Sequence, residues 1–235
     1  MPDPMFQGVR VLGVVPARGG SKGVQRKNIR PLAGEPLIGH TLRTARQVEE
    51  IDLLVVSTDD DEIASVSRSY YVRSIKRPAS LASDTSPTEA ALLQVLDVLA
   101  EEGQLFDIVL VLEPTSPFRS AGTIARAIAM CVDGKIPSVL AVRETRENIG
   151  YIRDGFFRPV VPGARRRRQE RQPMYIECST IYACRVDYIR RTGTLVAEDW
   201  GALVVPDVEA ADINTEDDFK LVESLMQNRR KAQNA

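Results

Sequence analysis

The stretch Ala17-Arg18-Gly19-Gly20-Ser21-Lys22-Gly23 places two cations, a hydroxyl and three glycines directly after the apolar run Val9 to Val15. Backbone N–H groups without neighbouring side chains approach a phosphate closely, and Arg18 and Lys22 neutralise its charge. The chemistry that suits this stretch is nucleotide binding, although a glycine-rich loop taken alone is equally a simple turn. Its spacing is neither G-x-G-x-x-G nor G-x-x-x-x-G-K-[ST], so the dinucleotide fingerprint and the Walker loop both fail to match. Near the other end of the chain Asp212 and Asn214 alternate along a short extended stretch, which turns both side chains to one side, as two oxygen ligands of a hard cation require. A competing reading makes Asn214 or Thr215 the cap of the following helix, with Asp217 and Asp218 in a solvated first turn. Nucleophilic machinery is not in view: the single histidine, His40, reads as a packing residue, and no Ser-His-Asp or Cys-His arrangement forms around it. Cys131, Cys178 and Cys184 are odd in number, contain no C-x-x-C pair, and read as packing thiols.

The elements that must position these groups alternate. Val9 to Val15, Leu53 to Ser57 and Ile108 to Leu112 are apolar runs with the character of buried strands. Further strands are expected near Ser138 to Val142, Thr180 to Ala183 and Ala202 to Val205. Helical stretches fall at Pro36 to Gln47, Asp60 to Tyr70, Ser120 to Val132 and Thr215 to Met226. Ser86-Pro87-Thr88-Glu89 has the form of a capping box ahead of Leu92, Val95, Leu96 and Leu99 at helical spacing. Such alternation predicts a doubly wound, mostly parallel α/β sheet of Rossmann-like type, with ligand at the carboxyl ends of the strands. From about Arg143 to Tyr175 the pattern gives way to short extended pieces, turns at Asp154-Gly155 and Pro162-Gly163, and the basic run Arg165 to Arg168, so this segment reads as an excursion. From about Asn228 onward a frayed polar tail is expected.

The chain has 235 residues, 43% of them hydrophobic and 27% charged, enough for one substantial domain over residues 1–235 with a small appendage. Thirty-one basic against 32 acidic residues leave a net charge of −1, which removes the broad positive field of a nucleic-acid binder. No apolar stretch is long enough to span a membrane, and the opening MPDPMFQGVR lacks a signal-peptide plan, so a cytoplasmic protein is expected.

Five motifs then occur in order. They are the first loop continuing through Arg26-Lys27-Asn28-Ile29 to Leu32-Ala33-Gly34-Glu35-Pro36-Leu37-Ile38; Ser57-Thr58-Asp59; Arg77-Pro78-Ala79-Ser80-Leu81-Ala82-Ser83-Asp84; Leu112-Glu113-Pro114-Thr115-Ser116-Pro117-Phe118-Arg119; and Asp212-Ile213-Asn214-Thr215. Over roughly residues 9 to 226 this series closely resembles the acylneuraminate cytidylyltransferases, the CMP-sialic acid synthetases and their relatives. The resemblance implies transfer of CMP from CTP to the anomeric hydroxyl of a nonulosonic acid, with Mg²⁺ as cofactor and pyrophosphate released. It implies Arg18, Lys22 and Asp212 as catalytic residues and Ala17, Gly19, Ser21, Lys27, Asn28, Arg77, Ser86 and Thr88 as further nucleotide contacts. Glu113, Thr115, Ser116, Arg168, Gln169 and Ser179 would meet the acceptor, and Asp212 with Asn214 the metal. The excursion resembles the family's dimerisation segment, so a homodimer is implied, with Arg168 and Gln169 reaching the neighbouring site.

Three positions depart from the family pattern. Glu113 stands for a frequent Gln, Asn214 for a second Asp, and Cys178-Ser179-Thr180 for Asn-Gly-Ala. These leave open another acid acceptor (pseudaminic, legionaminic, octulosonic or a phosphonate) or a catalytically silent nucleotide-binding homologue.

Overall fold

Strands buried on both faces must be apolar throughout, and the chain's apolar runs become the centre of one sheet. The structure, a computed structural model, describes residues 8–83, 85–132, 136–163 and 165–233, so Asp84 of the third motif and the last two residues lie outside it. In chain order the strands are β1 (Val11–Pro16), β2 (Pro31–Leu32), β3 (Glu35–Pro36), β4 (Leu53–Thr58), β5 (Arg73–Lys76), β6 (Ile108–Val111), β7 (Ser138–Thr145), β8 (Gly150–Arg153), β9 (Phe156–Pro159), β10 (Met174–Arg185) and β11 (Gly201–Val204). The helices are α1 (Leu37–Ala45), α2 (Asp61–Ser69), α3 (Thr88–Glu101), α4 (Ala121–Val132), α5 (Val186–Thr192) and α6 (Glu216–Gln233).

Seven strands form a sheet in the order β11-β7-β10-β6-β1-β4-β5. Every pairing in it is parallel except those of β10, which runs antiparallel to β6 and β7. The chain builds outward from β1 through β4 to β5, then crosses back to place β6 on the other side of β1. The gap between β1 and β6 is therefore the topological switch point, where a crevice opens at the carboxyl ends of the strands. Alternation along β1 divides the core: Val11 and Val15 pack with Ile38, Leu42, Ile63, Ile124 and Ile128 on one face, while Leu12 and Val14 pack with Leu92, Val95, Leu99 and Ile189 on the other. Among the described residues no helix is long and apolar enough to cross a membrane.

The excursion takes the form of the β8–β9 hairpin, turned by Asp154 and Gly155 at φ 53° and 78°, the left-handed pair that matches strand twist. It starts later than Arg143, because β7 continues to Thr145 against Met174 of β10.

Several expectations are corrected. Ser86 does not cap α3; Pro87 occupies that position in an extended conformation, and the Ser86 hydroxyl bonds instead to Ser83 Oγ at 2.6 Å and the Ser80 carbonyl at 3.2 Å. The frayed tail is helix: α6 runs to Gln233, because its Gln, Arg, Lys and Ala residues favour helix and Arg229 lies over the Phe118 ring at 5.2 Å. Asp218 is no idle surface charge, since it accepts the Thr215 N–H at 2.8 Å while its own N–H donates to Thr215 Oγ1 at 3.2 Å. That reciprocal box caps α6 and pulls the Asp218 carboxyl below its ordinary value. Packing readings hold for His40, whose Nε2 meets the Leu32 carbonyl at 3.0 Å, and for Cys131 and Cys184, whose thiols burial pushes up to about 12.

A third core cluster seats α6. Phe219, Val222 and Met226 pack on Val24, Leu32, Leu37 and Ile213, which couples the last helix to the segment after the first loop. Phe219→Ala is expected to lower the unfolding free energy by about 3–5 kcal/mol in urea denaturation, whereas a loss below about 1 kcal/mol would show that α6 is not part of the cooperative core.

Candidate active site

Three parallel strands end level at the switch point, and the side chains that follow them converge. After β1, the Ala17 N–H is taken by the Ser57 carbonyl at 2.9 Å and the Gly19 N–H by the Asp59 carboxylate at 3.0 Å. These amides serve the loop itself, which leaves the side chains of Arg18, Ser21 and Lys22 to line the crevice. Asn28 Nδ2 holds the Arg18 carbonyl at 3.0 Å. Gly23 presses on the Asn214 carbonyl, where a Cβ would come within 2.0 Å, so only glycine lets the two segments meet. Lys27 completes the join, its Nζ donating to the Ile213 carbonyl at 2.7 Å. Burial pulls the Lys27 ammonium down, and the Asp212 and Glu113 carboxylates oppose that pull.

After β5, Arg77 is almost buried and bonds back to β4, with Nε on Ser57 Oγ and Nη2 on the Ser57 carbonyl, both at 3.1 Å. Burial lowers its pKa, but an arginine stays charged. Arg18, Ser21, Lys22, Lys27, Asn28, Arg77, Ser86 and Thr88 thus share one cleft of about 410 Å³ with Glu113, Thr115 and Asn214. A second cleft of about 450 Å³ adjoins it. Lys27, Thr88, Glu113, Thr115 and Asn214 belong to both, and Asp212 and Ser179 join them in the second. Burial pushes the Glu113 carboxyl up to about 7; Asp212 adds to the effect and Arg119 opposes it.

The second cleft also contains residues that sequence reasoning did not assign: Glu89, Glu177, Tyr182, Leu195 and Val196. Tyr182 donates to Glu177 Oε1 at 3.1 Å, and burial together with that carboxylate raises its phenol. Glu177 and Ser179 share a face by simple alternation, a signal that was available. Tyr182 joins them only because β10 is irregular between Glu177 and Tyr182, where Cys178 to Ile181 oppose the single residue Ala141. Leu195 and Val196 arrive on the loop after α5, an element with no sequence signature strong enough to announce it.

Asp212 and Asn214 do face the same way, for Asn214 Nδ2 donates to Asp212 Oδ2 at 2.7 Å. The Thr215–Asp218 box relieves Asn214 of capping. Asp212 Oδ1 is buried with no hydrogen-bond partner among the described residues, a costly state for a carboxylate oxygen unless a ligand meets it. No group of three or more His, Cys, Asp or Glu residues that could hold a metal occurs among the described residues. The donor set therefore fits a cation that takes one protein carboxylate and completes its shell with substrate oxygens and water, the habit of Mg²⁺.

Other assigned residues lie elsewhere. Ala17 and Gly19 line neither cleft, since their amides tie the loop to β4. Ser116 is 1% exposed in the turn after Glu113 and lines neither cleft. Arg168 and Gln169 stand on the excursion, where exposed Arg168 reaches Glu147 at 3.1 Å.

Comparison with known proteins places this geometry. The cytidylyltransferase family model matches residues 12–149. The CMP-N,N'-diacetyllegionaminic acid synthase of Legionella pneumophila is 34% identical over 233 residues, covering 95% of this chain and 99% of that protein. The N-acylneuraminate cytidylyltransferase of Escherichia coli O18:K1:H7 is 30% identical over 121 residues, 52% of this chain and 28% of that protein. Among solved structures, a CMP:2-keto-3-deoxy-manno-octonic acid synthetase complexed with CTP superposes with a TM-score of 0.70 at 18% identity, over 94% of this chain and 99% of that one.

The raised Glu113 carboxyl has a measurable consequence. Between about 4.5 and about 7 the folded protein keeps a proton that the unfolded chain has released, so stability falls as pH rises through that window. Glu113→Gln removes the titration: the metal-free variant is expected to match wild type near pH 5 and to exceed it by roughly 2 kcal/mol near pH 8 in thermal or urea unfolding. Identical pH profiles for the two proteins would show that Glu113 titrates as an ordinary carboxylate.

Proposed function

The chain belongs to the cytidylyltransferase family, and from that premise we propose that it transfers CMP from CTP to the anomeric hydroxyl of a nonulosonic acid of the N,N'-diacetyllegionaminic type. The observation that carries this reading is the pair of adjoining clefts with a common wall of Lys27, Thr88, Glu113, Thr115 and Asn214. Two substrates between which a cytidylyl group passes must meet where such clefts adjoin.

The cation-lined cleft suits the triphosphate, with Arg18, Lys22 and Lys27 on its charge and Arg77, Ser86 and Thr88 toward ribose and base. The acceptor's anomeric oxygen attacks the α-phosphorus; the new O–P bond forms, the bond to pyrophosphate breaks, and the hydroxyl proton passes to water. Such a transfer asks the protein mainly to position reactants and stabilise spread negative charge. Asp212 would hold Mg²⁺, with Asn214 orienting that carboxylate. When bound, the metal supplies charge neutralisation to the triphosphate oxygens.

The second cleft suits an N-acylated sugar acid. Leu195 and Val196 offer an apolar surface for acetamido methyls, and Ser179, Tyr182 and Glu177 offer partners for N–H and hydroxyl groups. The full-length likeness to the legionaminic enzyme favours that acceptor over N-acetylneuraminate, for which the relative matches about half of this chain. The test is pyrophosphate release from CTP and Mg²⁺ with N,N'-diacetyllegionaminic, pseudaminic, N-acetylneuraminic and octulosonic acids. The first is expected to lead by about tenfold or more in kcat/KM, and Asp212→Asn and Arg18→Ala to lose about 3–4 kcal/mol of transition-state stabilisation. Turnover of octulosonic acid alone would overturn the acceptor assignment.

We also propose a homodimer built on the excursion. Ile152 at 79% exposure, Phe156 at 63%, Phe157 and Tyr151 leave the β8–β9 hairpin with an apolar surface that a two-stranded ribbon does not cover by itself. A second copy seated there would carry Arg168 and Gln169 toward the neighbouring acceptor cleft. Sedimentation is expected to give a dimer mass, with Ile152→Asp/Phe157→Asp monomeric and impaired; a fully active wild-type monomer would remove the proposal.

A further inference from the structure

Behind the wall common to the two clefts lies a guanidinium that touches neither. Arg119, 3% exposed, follows the Glu113-containing loop at the start of α4. Its Nη2 donates to the Glu113 carbonyl at 2.8 Å, its Nε to the Thr180 carbonyl, and its Nη1 approaches Thr41 Oγ1 of α1 at 3.4 Å. The first acceptor belongs to a residue that lines the second cleft, and the second to the residue after Ser179, which also lines it. Glu113 forms the wall toward the nucleotide; Thr180 lies in the irregular stretch of β10 that presents Ser179.

That stretch needs an outside donor. Between Glu177 and Tyr182 the ladder to β7 is interrupted, and a buried carbonyl that leaves a ladder must find another partner. Arg119 supplies it, while the Thr180 hydroxyl donates to the Glu209 carbonyl at 2.8 Å and fixes the same stretch from its other side.

We propose that Arg119 is the positioning residue for acceptor recognition: its single buried fork sets the spacing between Glu113 and the Ser179 stretch, and so the width of the acceptor cleft. The inference rests on the functional reading above and adds a residue that contacts no substrate. Burial lowers the Arg119 pKa to about 10, and the nearby Glu113 and Glu209 carboxylates oppose that shift, so the fork stays charged at neutral pH. Lysine cannot replace it, because one ammonium does not hold two carbonyls in a plane.

The experiment compares R119K and T180V with wild type in steady-state kinetics, varying CTP and N,N'-diacetyllegionaminic acid separately, with thermal unfolding measured on each protein. R119K is expected to raise the acceptor KM about tenfold and T180V about threefold, with the CTP KM within about twofold of wild type in both. A parallel rise in both KM values, or no change in either, would overturn the assignment, since a general structural role does not select one substrate. If R119K does not fold, T41V, which removes the Thr41 Oγ1 acceptor of the fork, decides: an acceptor-selective rise supports the role and wild-type kinetics refute it. A wild-type enzyme that binds CTP but turns over no acid in the panel would refute the functional reading and this inference with it.

Discussion

The ammonium of Lys27, held on the carbonyl of Ile213, joins residues 186 positions apart and closes the site. That bond adds a polar tie to the Gly23–Asn214 contact and the packing of Val24, Leu32 and Leu37 on Ile213. Its strength comes from setting: a half-buried cation between the Asp212 and Glu113 carboxylates, in surroundings less polar than water, where such a bond is stronger and a missing partner more damaging. Gly23 permits the contact, Phe219 and Ile213 pack beneath it, and the Thr215–Asp218 box fixes where the following helix starts. Each of those features serves to keep one carboxylate and three cations around the two adjoining clefts.

A second organiser is the Ser57 carbonyl. It accepts the Ala17 N–H at 2.9 Å and Arg77 Nη2 at 3.1 Å, so the last residues of one strand orient both the cationic loop and the Arg77 guanidinium. Spatial order of this kind follows from parallel strands ending at one level, and it explains why a site drawn from five distant motifs can be rigid.

What the sequence disclosed, and what it hid, divides by range. Apolar runs such as Ile108 to Leu112 announce buried strands, and the alternation of Asp212 with Asn214 predicts their common face, because both depend on near neighbours. Ser86 looks like a cap by the same local rules, yet the loop from Ser80 claims its hydroxyl. Tyr182 reaches the second cleft only through a register irregularity, and Arg119 matters only because a carbonyl 61 residues away lacks a ladder partner. The α6 extension was missed for a different reason: polar residues read as a tail until Phe118 and Ala33 provide docking partners. Composition marks solubility of a helix face, not its absence.

The pairing of β7 with β10 continues past the cleft, with Met174, Tyr175, Ile176 and Glu177 opposite Thr145, Glu144, Arg143 and Val142. Everything between Thr145 and Met174 therefore hangs from a two-stranded stem whose root is already locked into the central sheet. Such an arrangement makes the appended hairpin a cassette. Changes in its length, its turn or its surface chemistry alter what the excursion can pair with, while the stem keeps the register of the central sheet. An engineer wishing to graft a foreign binding loop onto this scaffold would cut there.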